Sequence, residues 1–161
     1  MFFLRPTKSV SKIIDIDEQL LKEMKVKAIL LDIDNTLSLH GKEEPLEGVI
    51  EWLKNLKRLG YSLFIISNNK LKRVQMFANK LDIEFIAMAK KPFKSGFNAA
   101  KNILKLEPSE ILVVGDQIFT DILGANLSNM KSVLLEPVDT NENKFIKFKR
   151  ILERPIRSRY K

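Results

Sequence analysis

The pattern of apolar and polar positions predicts strands and helices that alternate along the chain. Short segments made mainly of apolar residues predict strands at residues 27–33, 61–66, 83–87, 111–114 and 132–135, and the unbroken run at residues 28–31 is typical of a strand buried on both faces. Between them, apolar residues recur at helical spacing at residues 49–59, 71–81 and 93–104, and a further helix is expected to contain residues 121–126. Because hairpin turn signals are missing between the strands, we predict an α/β fold: a three-layer α/β/α, Rossmann-like parallel sheet.

The length of the chain suits a single domain. Its 161 residues allow one domain with a hydrophobic core and are too few for two, so we expect one domain over residues 1–161. Residues 1–25 are interpreted as a leader arm, in which Asp17 is the candidate N-cap of a short helix. Trp52 is interpreted as a core residue.

Positive charge is concentrated at the C-terminal end, in a basic tail at residues 141–161. Residues 142–161 contain eight basic and two acidic residues, which gives this segment +6 of the chain's net charge of +8. A helix is expected over residues 141–152, ending at Pro155, with an apolar side formed by Phe145, Phe148 and Leu152. Two interpretations stay open: a packed helix with a solvated end, or attachment to anionic lipid or RNA.

Composition narrows the classes of protein that remain. The chain has no cysteine, which excludes disulfides and thiolate metal sites. No apolar run is long enough to span a bilayer, and the apolar start at residues 1–4 is too short for a signal peptide. We therefore expect a cytoplasmic protein without a transmembrane segment, with peripheral membrane contact through the basic tail as an open alternative.

Polar side chains follow the ends of the predicted strands. In a parallel sheet these ends share one edge, where α/β folds bind their ligands. Two carboxylates only two positions apart, such as Asp32 and Asp34, repel each other and resist burial, so they favour a cation between them. The set predicts a Mg²⁺ site beside an anion-binding group. In chain order, its members are Asp32, Asp34, Ser67, Asn68, Lys90 or Lys91, Asp116 and Asp121.

These residue types suit phosphoryl transfer. Mg²⁺ binds carboxylate and phosphate oxygens, while an ammonium and a hydroxyl stabilise the transferring group. A carboxylate is also a possible nucleophile, and a second one would protonate the leaving group and later deprotonate water. The alternative is that each side chain only caps a turn or a helix start, which suits one residue better than the whole set. His40, the single histidine, is interpreted as solvated, with contact to the substrate as the alternative.

Four of these stretches resemble the motifs of the haloacid dehalogenase superfamily. The run from Asp32 to Thr36 resembles the DxDxT/V signature, Ser67 the second motif, Lys91 with Pro92 the third, and Gly115-Asp116 with Asp121 the fourth. The chain is also similar nearly end to end to the YqeG-type phosphatases of subclass IIIA. The matching stretches are residues 15–17, 67–69, 89–92, 115–121 and 145–154.

The resemblance implies a hydrolase of the phosphatase class and a role for each matching residue. Asp32 would be the nucleophile that forms an aspartyl-phosphate, and Asp34 the general acid and base. Ser67, Asn68 and Lys91 would bind the phosphate, with Lys91 preferred to Lys90 because it directly precedes proline.

The resemblance also implies a Mg²⁺ cofactor. Asp32, Asp116 and the main-chain carbonyl of Asp34 would be the ligands, and Asp121 would support them. The family includes enzymes that act on phosphatidylglycerophosphate, which makes this enzyme activity one expectation for the chain.

The spacing of the motifs leaves no room for an inserted cap domain. Only 33 positions separate Asp34 from Ser67, and 24 separate Ser67 from Lys91, and each interval is filled by one helical unit. A capless site admits bulky substrates and excludes water less well. We expect a phosphorylated lipid headgroup, nucleic-acid end or protein rather than a small metabolite. The alternative function is a non-catalytic module that binds RNA, a ribosome or a protein.

Overall fold

Six strands form one parallel sheet in the computed structural model, which describes residues 2–139 and 142–160. The strands are β1 (Lys8–Val10), β2 (Ala28–Leu31), β3 (Ser62–Ile66), β4 (Glu84–Ile86), β5 (Ile111–Gly115) and β6 (Lys131–Leu135). Their order across the sheet is β1-β6-β5-β2-β3-β4, and all neighbouring pairs are parallel. The predicted parallel α/β sheet is confirmed.

In the described part of the chain, six α-helices connect or follow these strands. They are α1 (Glu18–Glu23), α2 (Val49–Arg58), α3 (Leu71–Leu81), α4 (Lys94–Leu104), α5 (Leu123–Leu127) and α6 (Lys144–Arg157). The Asp17 carboxylate accepts a hydrogen bond from the Leu20 N–H at 2.8 Å, which confirms the predicted N-cap of α1. Within residues 2–139 and 142–160, none of the helices is long and apolar enough to cross a bilayer.

Helices cover both faces of the sheet because successive strand residues point to opposite sides. Ile29 and Leu31 of β2 belong to the core on the side of α2 and α3, which includes Trp52 as predicted. Ala28 and Leu30 belong to the core on the side of α4 and α5. Since β2 is fully buried on both faces, the predicted three-layer arrangement is confirmed.

The leader contributes a strand that the sequence pattern did not predict. Strand β1 lies at the edge of the sheet and pairs with β6, with Lys8 opposite Val133. Its three residues are exposed or half-buried. An edge strand with so little burial carries no apolar alternation, so periodicity could not reveal it.

Helix α6 does not end at Pro155 as predicted. It continues to Arg157, whose guanidinium is buried and donates a hydrogen bond to the Leu135 carbonyl at 3.0 Å. This contact holds the last turn against the sheet although Pro155 removes one helical hydrogen bond. The predicted start of the helix at residue 141 lies outside the described residues.

The register of the central strands aligns the ends from which the candidate site is built. Leu31 lies opposite Ile65 of β3 and Val114 of β5. The next residue, Asp32, donates its main-chain N–H to the Val114 carbonyl at 3.1 Å. The loops that follow β2, β3 and β5 therefore leave the sheet at the same edge.

Candidate active site

Three of the predicted site residues form a compact acidic group. One carboxylate oxygen from each of Asp32, Asp116 and Asp121 lies within 4.8 Å of the others, and all three residues are buried. Asp32 and Asp116 directly follow β2 and β5, whereas Asp121 comes from the next turn of chain. The predicted convergence of distant residues on one sheet edge is therefore present for this group.

Asp121 reaches the group from a π-helical turn at Ile118–Ile122. Its Oδ2 accepts a hydrogen bond from the Gln117 N–H at 3.1 Å. A Cβ atom at Gly115 would lie 2.3 Å from the Asp121 carboxyl carbon, so any larger residue would displace this carboxylate. Gly115 is thus required for the close approach of Asp121 to β5.

The structure distinguishes the two candidate lysines. The Lys91 ammonium is buried and donates to Asp32 Oδ1 at 2.8 Å, to Asp121 Oδ1 at 2.6 Å and to the Ile66 carbonyl at 3.0 Å. Lys90 is exposed and has a left-handed backbone conformation, with φ of +55°. Lys91 is therefore the lysine that lies in the acidic group.

Burial dominates the ionisation of this group. It raises the pKa of Asp32 to about 7 and the pKa of Asp116 to about 8, while Lys91 and Arg150 respectively act in the opposite direction. Burial also acts to lower the pKa of Lys91, but Asp121 and Asp32 outweigh it and raise that pKa above its ordinary value. Further positive charge would stabilise the ionised carboxylates.

Asp116 has one oxygen that suits a cation. Its Oδ2 accepts a hydrogen bond from Arg150, whereas its buried Oδ1 has no hydrogen-bond partner among the described residues. Buried polar atoms are nearly always satisfied, so an unpaired carboxylate oxygen beside two further carboxylates fits a metal ligand. Carboxylate oxygens are the protein ligands that Mg²⁺ prefers. The donor set therefore fits this ion.

The Asp34 side chain points away from the acidic group. Its carboxylate accepts hydrogen bonds from Arg73 Nη2 at 2.6 Å, Asn69 Nδ2 at 2.7 Å and the Gly41 N–H at 2.9 Å. His40 Nδ1 lies 4.0 Å from the same carboxylate. Burial acts to raise the pKa of Asp34, but the hydrogen bonds and the charge of Arg73 hold it below its usual range.

Ser67 and Asn68 both follow β3 but make different contacts. The buried Ser67 hydroxyl oxygen accepts hydrogen bonds from the Asn69 N–H at 3.2 Å and from Asn69 Nδ2 at 3.0 Å. The Asn68 side chain accepts from the Lys91 N–H at 2.7 Å and donates to the Lys91 carbonyl at 3.1 Å. The Asn68 side chain thus holds the Lys91 loop, and its predicted contact with the phosphate stays a prediction.

A cavity of about 280 Å³ opens over these groups. Asp32, Ser67 and Lys91 line it from the sheet, and Phe145 and Lys149 line it from α6. In the described parts of the chain, only α2 connects β2 to β3 and only α3 connects β3 to β4. Helix α6 therefore covers part of the site where an inserted domain is missing.

Arg150 ties α6 to the acidic group through a buried network. Its guanidinium bonds the Asp116 carboxylate, the Asp116 carbonyl at 2.7 Å, Glu142 at 2.6 Å and Glu153 at 3.4 Å. Glu142 also accepts a hydrogen bond from Asn35 Nδ2 at 2.8 Å. The loop after β2 and the loop after β5 are thus joined through two residues of the C-terminal segment.

A second contact holds the end of the same helix. Arg157 donates to the carbonyls of Asp116 and Leu135 and lies 3.3 Å from Glu153. Glu153 in turn accepts a hydrogen bond from the Ile118 N–H at 2.7 Å, at the start of the π-helical turn. The predicted basic tail is therefore, in part, a structural element of the site.

Sequence reasoning missed several residues that contact the site. Arg73 lies one helical turn after Asn69, and no local pattern singles it out. For α6, Arg150, Glu153 and Arg157 recur at helical spacing opposite the apolar side, although Glu153 and Arg157 lie beyond the predicted helix at residues 141–152. This stripe of positive and negative side chains was the available signal that the charged side packs against the protein. A helix side that only faces water does not need side chains of both charges.

Comparison with known proteins places the chain in a recognisable context. Residues 38–129, more than half of the chain, match the family model for haloacid dehalogenase-like hydrolases. The probable phosphatase YqeG of Bacillus subtilis (strain 168) is 38% identical over 160 residues, which cover 99% of this chain and 92% of that protein.

Two further similarities are more distant. The chloroplastic/mitochondrial phosphatidylglycerophosphate phosphatase 1 of Arabidopsis thaliana is 30% identical over 155 residues, which cover 89% of this chain and 44% of that protein. The chain thus spans less than half of this relative. An uncharacterised protein from Listeria monocytogenes serotype 4b has a similar fold, with a TM-score of 0.61 and 19% identity over 73% of this chain and 84% of that one.

Proposed function

The chain belongs to the haloacid dehalogenase-like hydrolases, and on this premise we propose that it is a Mg²⁺-dependent phosphatase that forms an aspartyl-phosphate on Asp32. The family match and the near-full-length similarity to a probable phosphatase confirm the predicted family and enzyme class. The metal, the roles of the side chains and the substrate are our proposal.

The position of the Asp32 carboxylate carries the proposal. It is buried at the sheet edge, lines the cavity, and bonds the Lys91 ammonium at 2.8 Å. A carboxylate with little water around it is a better nucleophile, and the adjacent ammonium stabilises the charge of an incoming phosphate. A structural turn residue needs neither feature.

Hydrolysis would take two steps. In the first, an Asp32 oxygen bonds to the phosphorus while the bond from phosphorus to the leaving oxygen breaks, and the protonated form of Asp34 gives that oxygen its proton. In the second, water attacks the phosphorus, Asp34 takes the proton of the water, and the bond from Asp32 to phosphorus breaks to release inorganic phosphate. Lys91 and Ser67 hold the phosphoryl oxygens throughout.

The acidic group supplies the proposed metal site. When bound, Mg²⁺ stabilises negative charge on the phosphoryl oxygens. Asp116 through Oδ1, Asp32 and the main-chain carbonyl of Asp34 are the proposed ligands. Asp121 supports them by holding Lys91 at 2.6 Å and the Gln117 N–H at 3.1 Å.

A direct test is hydrolysis of an aryl phosphate with and without Mg²⁺. We expect activity only with Mg²⁺, and a loss of about 10⁴-fold or more in kcat for Asp32→Asn because the nucleophile is removed. Asp82→Asn is the matched control, since Asp82 is exposed at the end of α3 and does not line the active-site cavity. Equal background rates for wild type and Asp32→Asn over a broad phosphate panel would instead favour a non-catalytic module.

For the substrate, we propose a phospholipid monoester such as phosphatidylglycerophosphate. Support comes from the short connections between β2 and β4, which leave the cavity open to bulky groups, and from the similarity to the Arabidopsis enzyme. We expect faster turnover of this lipid in liposomes than of soluble sugar phosphates. The opposite preference would contradict the lipid substrate and leave the phosphatase activity intact.

A further inference from the structure

The two sides of α6 are arranged opposite to those of an ordinary surface helix. The side that faces the protein carries the ion-paired residues Arg150, Glu153 and Arg157. The apolar side faces outward: Phe145 is 67% exposed, Phe148 57%, Ile151 56% and Leu152 48%. Water-exposed apolar side chains in one contiguous stripe are unfavourable unless another surface covers them.

The charge around this stripe has one sign. Lys144, Lys147 and Arg154 are exposed and make no ion pair with any residue in the ranges 2–139 and 142–160. The two acidic residues of the segment, Glu142 and Glu153, are both buried against the protein. The outward side of α6 therefore presents aromatic and aliphatic side chains flanked by positive charge only.

This outward side adjoins the opening of the active-site cavity. Phe145 belongs to both, since it is part of the exposed stripe and lines the cavity together with Lys149. The Lys149 ammonium lies 4.6 Å from the centre of the Phe145 ring. A surface that covers the stripe would therefore lie directly beside the position of the reacting phosphate.

We propose that the outward side of α6 docks the enzyme on an anionic lipid bilayer. Helices with an apolar side flanked by basic residues lie in the membrane interface, where each basic residue near an anionic surface adds to binding. RNA would pair with the lysines but would leave Ile151 and Leu152 exposed to water. Docking brings phospholipid headgroups to the cavity while their acyl chains remain in the bilayer. The benefit of docking for catalysis rests on the proposed lipid phosphatase activity.

Vesicle co-sedimentation tests the docking without catalysis. Vesicles of equal parts phosphatidylglycerol and phosphatidylcholine contain no phosphomonoester, so the active site has no substrate on them. We expect the wild-type protein to sediment with these vesicles, to bind pure phosphatidylcholine much more weakly, and to be released by added salt.

Two variants on α6 and one matched control identify the surface. Phe148→Ser combined with Ile151→Ser should weaken vesicle binding by about tenfold or more, and Ile151→Ser alone by less, because apolar side chains no longer enter the interface. Ile103→Ser is the control, since Ile103 is a 54% exposed isoleucine on α4. Circular dichroism and aryl phosphate hydrolysis should be unchanged in all three proteins.

Several outcomes would overturn the proposal. They are a wild-type protein that stays in the supernatant, an equal loss of binding in Ile103→Ser, retained binding in the double variant, or a dimer that this variant converts to a monomer. Asp32→Asn distinguishes a failure of the docking proposal from a failure of the phosphatase proposal. If wild type and Asp32→Asn both bind vesicles and both are inactive, only the phosphatase proposal is contradicted. If the wild-type protein is active but does not bind vesicles, only the docking proposal is contradicted.

Discussion

Among the described residues, two cationic side chains contact the carboxylates of Asp32, Asp116 and Asp121, and they come from different parts of the fold. Lys91 follows β4, lines the cavity, and bonds Asp32 at 2.8 Å and Asp121 at 2.6 Å. Arg150 belongs to α6 and bonds both the carboxylate and the carbonyl of Asp116. Its further partners, Glu142 and Glu153, lie in its own segment of the chain.

The difference separates two tasks for positive charge in one site. In the proposed mechanism, Lys91 lies where the phosphoryl group reacts, so its charge would act on the substrate as well as on Asp32. Arg150 does not line the cavity, so its charge acts on Asp116 and on the attachment of α6. Removing Lys91 should therefore appear mainly in the rate of the reaction, and removing Arg150 mainly in stability and metal binding.

Among the substitutions of these cationic residues, the largest effect on the rate is expected for Lys91→Met. Without the ammonium, the developing charge on the phosphoryl group is not stabilised, and kcat should fall by about 10²–10³-fold. Aryl phosphate kinetics at saturating Mg²⁺ measure this, with urea unfolding to verify that the variant folds. Lys90→Met is the matched control, because the neighbouring lysine is exposed and should give nearly wild-type rates. Equal losses in the two variants would remove the distinction between them.

Arg150→Met should have the opposite pattern, with a large effect on stability and a small effect on the rate. It leaves Asp116, Glu142 and Glu153 without a shared cation, so the free energy of unfolding should fall by about 3 kcal/mol in urea titrations. At saturating Mg²⁺, kcat should fall by only about tenfold, since α6 is held less firmly but the reacting groups remain.

The control and a second readout keep this prediction separate from general destabilisation. Arg154→Met removes an exposed arginine of the same helix and should leave the unfolding free energy nearly unchanged. Mg²⁺ should raise the melting temperature of Arg150→Met by more than that of the wild type, because Asp116 has lost its other positive partner. An equal or smaller shift would mean that Arg150 does not influence the metal site.

The smallest effect concerns a third cation, Arg73, which bonds Asp34 at 2.6 Å. Arg73→Gln removes a positive neighbour that favours the ionised carboxylate, so the pKa of Asp34 should rise towards its usual value. The limb of the pH–rate profile that reports Asp34 should then move to higher pH, with kcat/KM reduced by about tenfold. Arg58→Gln, on the exposed side of α2, should leave the profile in place, and a limb that moved to lower pH would contradict this role of Arg73.

The sheet and the acidic group were predictable because local pattern decides them. Strands β2 and β5 are buried on both faces and read as apolar runs, and the residues after them share one edge. Strand β1 could not be predicted in this way. Its one partner strand, β6, lies 125 positions away along the chain, and Lys8 is exposed. The three residues of β1 contain no pattern that indicates pairing with so distant a strand.

Helix α6 shows a different limit of sequence reasoning. Periodicity predicted a helix with Phe145, Phe148 and Leu152 on one side, but periodicity does not say which side faces the protein. That choice is made by Arg150 and Arg157, whose partners are a carboxylate and carbonyls at the ends of β5 and β6. Their attraction outweighs the usual preference for apolar contact, and only the assembled sheet reveals it.

The connection between Asp116 and α6 has a consequence for the order in which the newly made chain can fold. Asp116 leaves the ribosome 34 residues before Arg150, and β1 leaves it 125 residues before its partner in β6. During synthesis the central strands can pair while this carboxylate still lacks its arginine. The catalytic edge and the first strand therefore both wait for the last part of the chain, so the site is completed only after translation of α6.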